Sequence, residues 1–169
     1  MFDQQVGWTG IRFGVLAGLT CFALIVLIYL VGVNPYGEYR LLTLIFIPVF
    51  VFFGISYFKK FTDQQLGFVR AFRIGLSVTF YAALVSAMLL YAFGYVAGPE
   101  VMQEYIGEVR GMMEATKAET IKIIGEKNYL DAYEMAGKTT PFDLASDEFM
   151  KKLFVGIIAS LIGAIFFRK

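Results

Sequence analysis

Phe13–Val33, FGVLAGLTCFALIVLIYLVGV, is twenty-one residues without a charge. As an α-helix rising about 1.5 Å per residue, it crosses the roughly 30 Å hydrocarbon core of a bilayer. Three more charge-free runs follow: Leu41–Phe58, Ile74–Ala97 and Leu153–Phe167. None alternates with the period of two that a transmembrane barrel strand needs. The expected fold is therefore all-α, a polytopic membrane protein with four transmembrane helices. The spans are expected at about 13–33, 41–58, 74–97 and 149–167 of a single membrane domain over 1–169. A helical extracytoplasmic insertion, about 98–148, is expected between helices 3 and 4.

Composition agrees, because a water-soluble domain that is 58% hydrophobic would expose large apolar patches. The N-terminal flank MFDQQVGWTG lacks a basic n-region, and no small-residue cleavage site follows the first run. An uncleaved first span is expected. If the N-terminus is cytoplasmic, the inside segments hold seven basic and two acidic residues, a balance of +5. The outside segments hold eight basic and twelve acidic residues, a balance of −4. The positive-inside rule then places both termini in the cytoplasm. Tyr36, Tyr39, Tyr57, Tyr91, Tyr95 and Trp8 fall near the ends of runs, as aromatic belts do.

Small residues recur every fourth position. Gly10, Gly14 and Gly18 open the first span; Gly156, Ser160 and Ala164 form a stripe in the fourth, with Ala159 and Gly163 beside it. Such stripes let backbones approach closely. Packing within the four-helix bundle is the plainer reading, and dimerisation the sharper one. Pro48 is expected to kink the second span. The fourth run is short and must extend back through Phe149 and Met150, with Lys151 and Lys152 snorkelling outward and Asp147 and Glu148 near enough to pair with them. Ser146 and Thr140, the latter followed by Pro141, are alternative N-caps. Cys21 lies alone in mid-run and reads as a packing residue.

The segment KKFTDQQLGFVRAFR, residues 59–73, mixes basic and apolar residues and suits an interfacial position. After Pro99, residues Val101, Tyr105, Val109 and Met112 recur at helical spacing beside Met102, Ile106 and Met113, with glutamates on the remaining faces. This predicts an amphipathic helix of about seven turns reaching Ile124, a break at Gly125, and a shorter helix over 127–135. Tyr105, Val109, Met112 and Met113 are the candidate partner-binding residues.

Chemistry is conspicuous by absence. There is no histidine, no phosphate-binding glycine loop, no nucleophile elbow and no EF-hand spacing. No charge lies at the middle of any run, whereas ion-coupled transporters keep such charges for their work. No catalytic, cofactor-binding or metal-ligating residue is expected, and the chain reads as no enzyme.

Leu66-Gly67-Phe68, Ala71-Phe72 and Gly75 lead into the third run, Pro99 stands near Tyr105, and GIIASLIGAIFFRK closes the chain. Together these features resemble the family called domain of unknown function 4199, small membrane proteins mostly of Bacteroidota. The resemblance implies a four-span protein of the bacterial inner membrane and carries no catalytic residues with it. The expected function is a non-enzymatic accessory or scaffold subunit of a membrane complex, with a small oligomeric channel or passive transporter as the alternative. Expected partners are membrane lipid and another membrane protein or a second copy, with no nucleic acid, cofactor or small-molecule ligand.

Overall fold

The computed structural model describes residues 4–168. Its regular elements are helices throughout: α1 (Gln4–Leu30), a 3₁₀ segment (Glu38–Ile45), α2 (Phe46–Phe61), α3 (Phe68–Val96), α4 (Pro99–Ala115), α5 (Lys117–Ile124), α6 (Glu126–Ala136) and α7 (Pro141–Phe167). Four stretches are long and apolar enough to cross a membrane: α1, the 3₁₀ segment continued by α2, α3 and α7. Between 28% and 39% of the residues in each apolar window are buried inside the bundle, so most of them keep some apolar surface open to the outside. Hydrocarbon is the solvent that accepts such a surface.

α3 is the central element, packed along both α1 and α7, with α2 closing the bundle against all three. Small residues set these distances. A Cβ on Gly14 would lie 2.7 Å from the Val78 carbonyl oxygen, and one on Gly18 would lie 2.7 Å from Val85 Cβ. Gly10 meets Ser77 in the same way, so the first glycine stripe faces α3 inside the same chain. On the other flank of α3, Gly75 meets Ser160, with 2.6 Å from a would-be Cβ to Oγ, and Gly156 lies against Thr79. Gly163 faces Ile55 and Phe52 of α2. Close backbone approach supplies the van der Waals contact that replaces a hydrophobic driving force in lipid.

Two elements differ from the sequence expectation. Pro48 produces no mid-helix kink, because it is the third residue of α2, where no intrahelical partner for its missing N–H is required. The preceding residues form the 3₁₀ segment, whose period of three places Arg40 and Thr43 on one face. Both are buried, and Thr43 Oγ1 donates to the Arg40 carbonyl at 2.8 Å. The predicted seven-turn amphipathic helix is instead two helices, α4 and α5, separated at Thr116. The Thr116 hydroxyl bonds back to the Met112 carbonyl at 3.0 Å, a local competitor to the helical ladder. The break at Gly125 is present, with φ at +84°, a conformation that favours glycine.

α7 begins at Thr140 rather than Ser146. Thr140 and Asp143 form a reciprocal capping box, and Pro141 occupies the first helical position. The helix therefore starts more than three turns before the charge-free run, carrying Asp147, Glu148, Lys151 and Lys152 with it.

Candidate functional site: a buried ionic cluster under an outer groove

Leu144, Glu148 and Lys152 are four residues apart and share one face of α7; Asp147 and Lys151 form the neighbouring stripe. The first face turns inward. Lys152 is fully buried and Glu148 is 2% exposed, while Arg40, arriving from the 3₁₀ segment, is 5% exposed. The expectation that Lys152 snorkels outward is corrected here.

The cluster is closely bonded. Lys152 Nζ donates to Glu148 Oε1 and, at 2.7 Å, to Ser86 Oγ of α3. Ser86 Oγ in turn donates to the same carboxylate oxygen at 3.1 Å. On the other side of Glu148, Arg40 Nε stands 3.6 Å from Oε2. Arg40 also donates to Asp147 Oδ2 at 2.7 Å and to the Leu144 carbonyl at 3.3 Å. Lys151 reaches the same Asp147 oxygen at 2.7 Å. One level inward, Cys21 Sγ donates to the Thr43 carbonyl at 3.4 Å, and the Lys152 and Glu148 charges act electrostatically on its thiol. Elements from three spans and the 3₁₀ segment thus converge on five charges.

Lys152 lies about 16 Å along the helix from Pro141 and about 22 Å from Phe167, counting helical rise. Cys21, beside it, is nine residues from the Leu30 end of α1, about 14 Å. The pair is therefore fully enclosed by protein at the end of α7's apolar run, directly before Leu153. Isolated, either charge would cost several kcal/mol in such surroundings; hydrogen-bonded to each other and to Ser86, they hold α7 to α3. Below the cluster, Val78, Ala82, Ile55 and Ala159 belong to the continuous apolar core.

Above it opens a groove of about 390 Å³, lined by Arg40 and Lys151 together with Tyr36, Tyr105, Val109 and Met112. The candidate partner-binding residues divide here. Tyr105 stacks edge-on against Tyr36, at 6.1 Å between ring centroids, as α4 docks on the bundle through Val101, Met102 and Ile106. Asn34 Nδ2 anchors the same end by donating to the Val101 carbonyl at 3.1 Å. Val109 and Met112 line the open part of the groove. Met113 belongs to the contact between α4 and α6, where Tyr129 donates to its carbonyl at 3.2 Å. Nearby, Tyr133 donates to Glu114 at 2.6 Å, and this bond to a carboxylate pushes its phenol above the ordinary range. Burial does the same for Tyr36, which lies between the first two spans.

Arg40, Ser86, Glu148 and Lys152 were missed as a set by sequence reasoning. The available signal was the Glu148–Lys152 spacing at the same end of the bundle as Arg40. Among the described residues, no group of three or more His, Cys, Asp or Glu is placed to hold a metal ion.

The family described as a protein of unknown function, DUF4199, matches residues 12–169, nearly the whole chain. The chain belongs to that family. For DUF4199 the match covers α1 from Arg12 onward, the other three apolar helices, the lobe formed by α4–α6, and every member of the ionic cluster. Comparison with curated proteins and comparison with solved structures each gave no match.

Proposed function

We propose that this protein is a non-enzymatic accessory or scaffold subunit of a bacterial inner-membrane complex, with the α4–α6 lobe as its working surface. One observation carries the reading: the lobe leaves large apolar side chains uncovered. Ile123 is 83% exposed and Met135 71% exposed, and Leu130 and Met112 are open as well. Only Met102 of α4 and Tyr129 of α6 are buried among the lobe's residues. Residues 98–140 carry eight acidic against five basic side chains. An acidic surface is repelled by anionic headgroups, which favours a protein as the cover for these side chains. The charge distribution along the chain supports cytoplasmic termini and a lobe on the opposite side.

The test replaces Val109 and Met112 with Glu. Affinity purification from native membranes should show the partner, or the second copy, lost from the double variant while its thermal stability in mild detergent is kept. A variant that keeps its associations overturns the reading.

The rival reading, a small oligomeric channel or passive transporter, gains support from the buried cluster beneath the outer groove, since intramembrane charges often mark ion pathways. Flux through reconstituted liposomes, abolished by Lys152→Met, would select it over the accessory role.

A further inference from the structure

At the end of the bundle opposite the lobe, a groove of about 860 Å³ runs between the start of α1 and the start of α3. Its walls are Trp8 and Ile11 of α1 and Val69, Leu76 and Tyr81 of α3; Arg70 and Arg73 stand at the α3 end of its mouth. Gly7 opens onto the groove: a Cβ there would meet nothing within 4 Å. Trp8 is 66% exposed beside it. Arg70 shares its charge with Asp63 at 2.7 Å. Arg73 is exposed, and among the described residues no ion pair neutralises it. Arg73 is therefore the cation presented at this mouth.

The geometry points to a binding site for one anionic glycerophospholipid, its headgroup phosphate on Arg73 and an acyl chain along Ile11, Leu76 and Tyr81. Three properties favour this occupant. The trough is apolar along its length and cationic at one end, the same polarity as a lipid. It begins in the first turns of two apolar helices, where headgroups lie. Guanidinium binds phosphate through paired donors, and Trp8 supplies an interfacial anchor beside it. The site is independent of the lobe and of the accessory role.

Native mass spectrometry of the full chain in mild detergent provides the test, with an equimolar mixture of phosphatidylglycerol and phosphatidylcholine as probe. The wild type should retain phosphatidylglycerol over phosphatidylcholine by about fivefold, the equivalent of ~1 kcal/mol for one basic residue at an anionic headgroup. Arg73→Gln should bring the ratio toward one. Gly7→Phe fills the groove and should reduce retention of both lipids without lowering thermal stability. Equal retention of the two lipids by the wild type, or an unchanged pattern in both variants, overturns the proposal. A dimer that excludes lipid and dissociates in Gly7→Phe also overturns it, and assigns the groove to a second copy.

Discussion

Replacing Lys152 with Met isolates the energetic role of the ionic cluster. Methionine fits the straight path of the lysine stem but removes the ammonium that Glu148 and Ser86 share. Glu148, 2% exposed, would keep Ser86 and the longer 3.6 Å contact to Arg40, whose nearer carboxylate is Asp147. Breaking a buried pair from one side costs about 3–5 kcal/mol, because the remaining charge is stranded. For a chain of this length each kcal/mol moves the midpoint by roughly 2–4 °C, so a drop on the order of 10 °C is expected. The double variant Lys152→Met with Glu148→Leu removes both charges and should recover at least half of that loss. Thermal unfolding of the wild type, both single variants and the double variant in one detergent gives the coupling directly. A Lys152→Met midpoint within about 1 kcal/mol of wild type would mean that the ammonium is solvated, and the burial argument would be wrong.

Other outcomes follow from packing and topology. Gly14→Leu should lose about 1–3 kcal/mol, since the new side chain meets the Val78 carbonyl in a backbone that cannot retreat. Gly107→Leu, in a helix with open space around it, should be neutral or slightly stabilising in the same melt. Gly32 makes a poor control, because its φ of +83° penalises any side chain there. Thr140→Ala removes half of the capping box and should cost about 1 kcal/mol, read as a lower unfolding midpoint. In a Cys21→Ser background, an impermeant thiol reagent applied to intact cells or spheroplasts should label a cysteine at Thr120 and spare one at Gln65. The reverse pattern would invert the topology inferred from the basic residues.

The four apolar helices were legible because a charge-free run of membrane length has few other readings. Gly10, Gly14, Gly18, Gly156 and Gly163 were recognisable as close-approach positions, but the neighbour each one meets depends on how the spans are arranged. Lys152 shows where local reasoning ends. A lysine at the edge of an apolar run can extend toward water or turn inward, at similar cost to its own helix. The choice is made by Ser86, sixty-six positions earlier, and by Arg40 on a different element. The 3₁₀ segment was hidden for a related reason. Leu41–Phe58 contains no glycine before Gly54, and Pro48 alone does not tell a kink from a helix start. In the lobe, Glu-rich periodicity continues past Thr116 even though the backbone does not, since the threonine hydroxyl diverts the hydrogen bonding there.

The ionic cluster also bears on how the chain enters the membrane. A lysine or an acid near the centre of a lone helix raises its insertion free energy by about 2.5–3.5 kcal/mol per residue, and α7 carries several charges near one end. α7 is also synthesised after α1, α2 and α3. When it arrives, Ser86 of α3 and Arg40 beside α2 are already in place to receive Glu148 and Lys152. Insertion of α7 is thus coupled to recognition of α1–α3, and a chain whose earlier spans are misassembled offers α7 no partner. The charges act as a checkpoint on assembly, in which only a correctly built acceptor lets α7 settle.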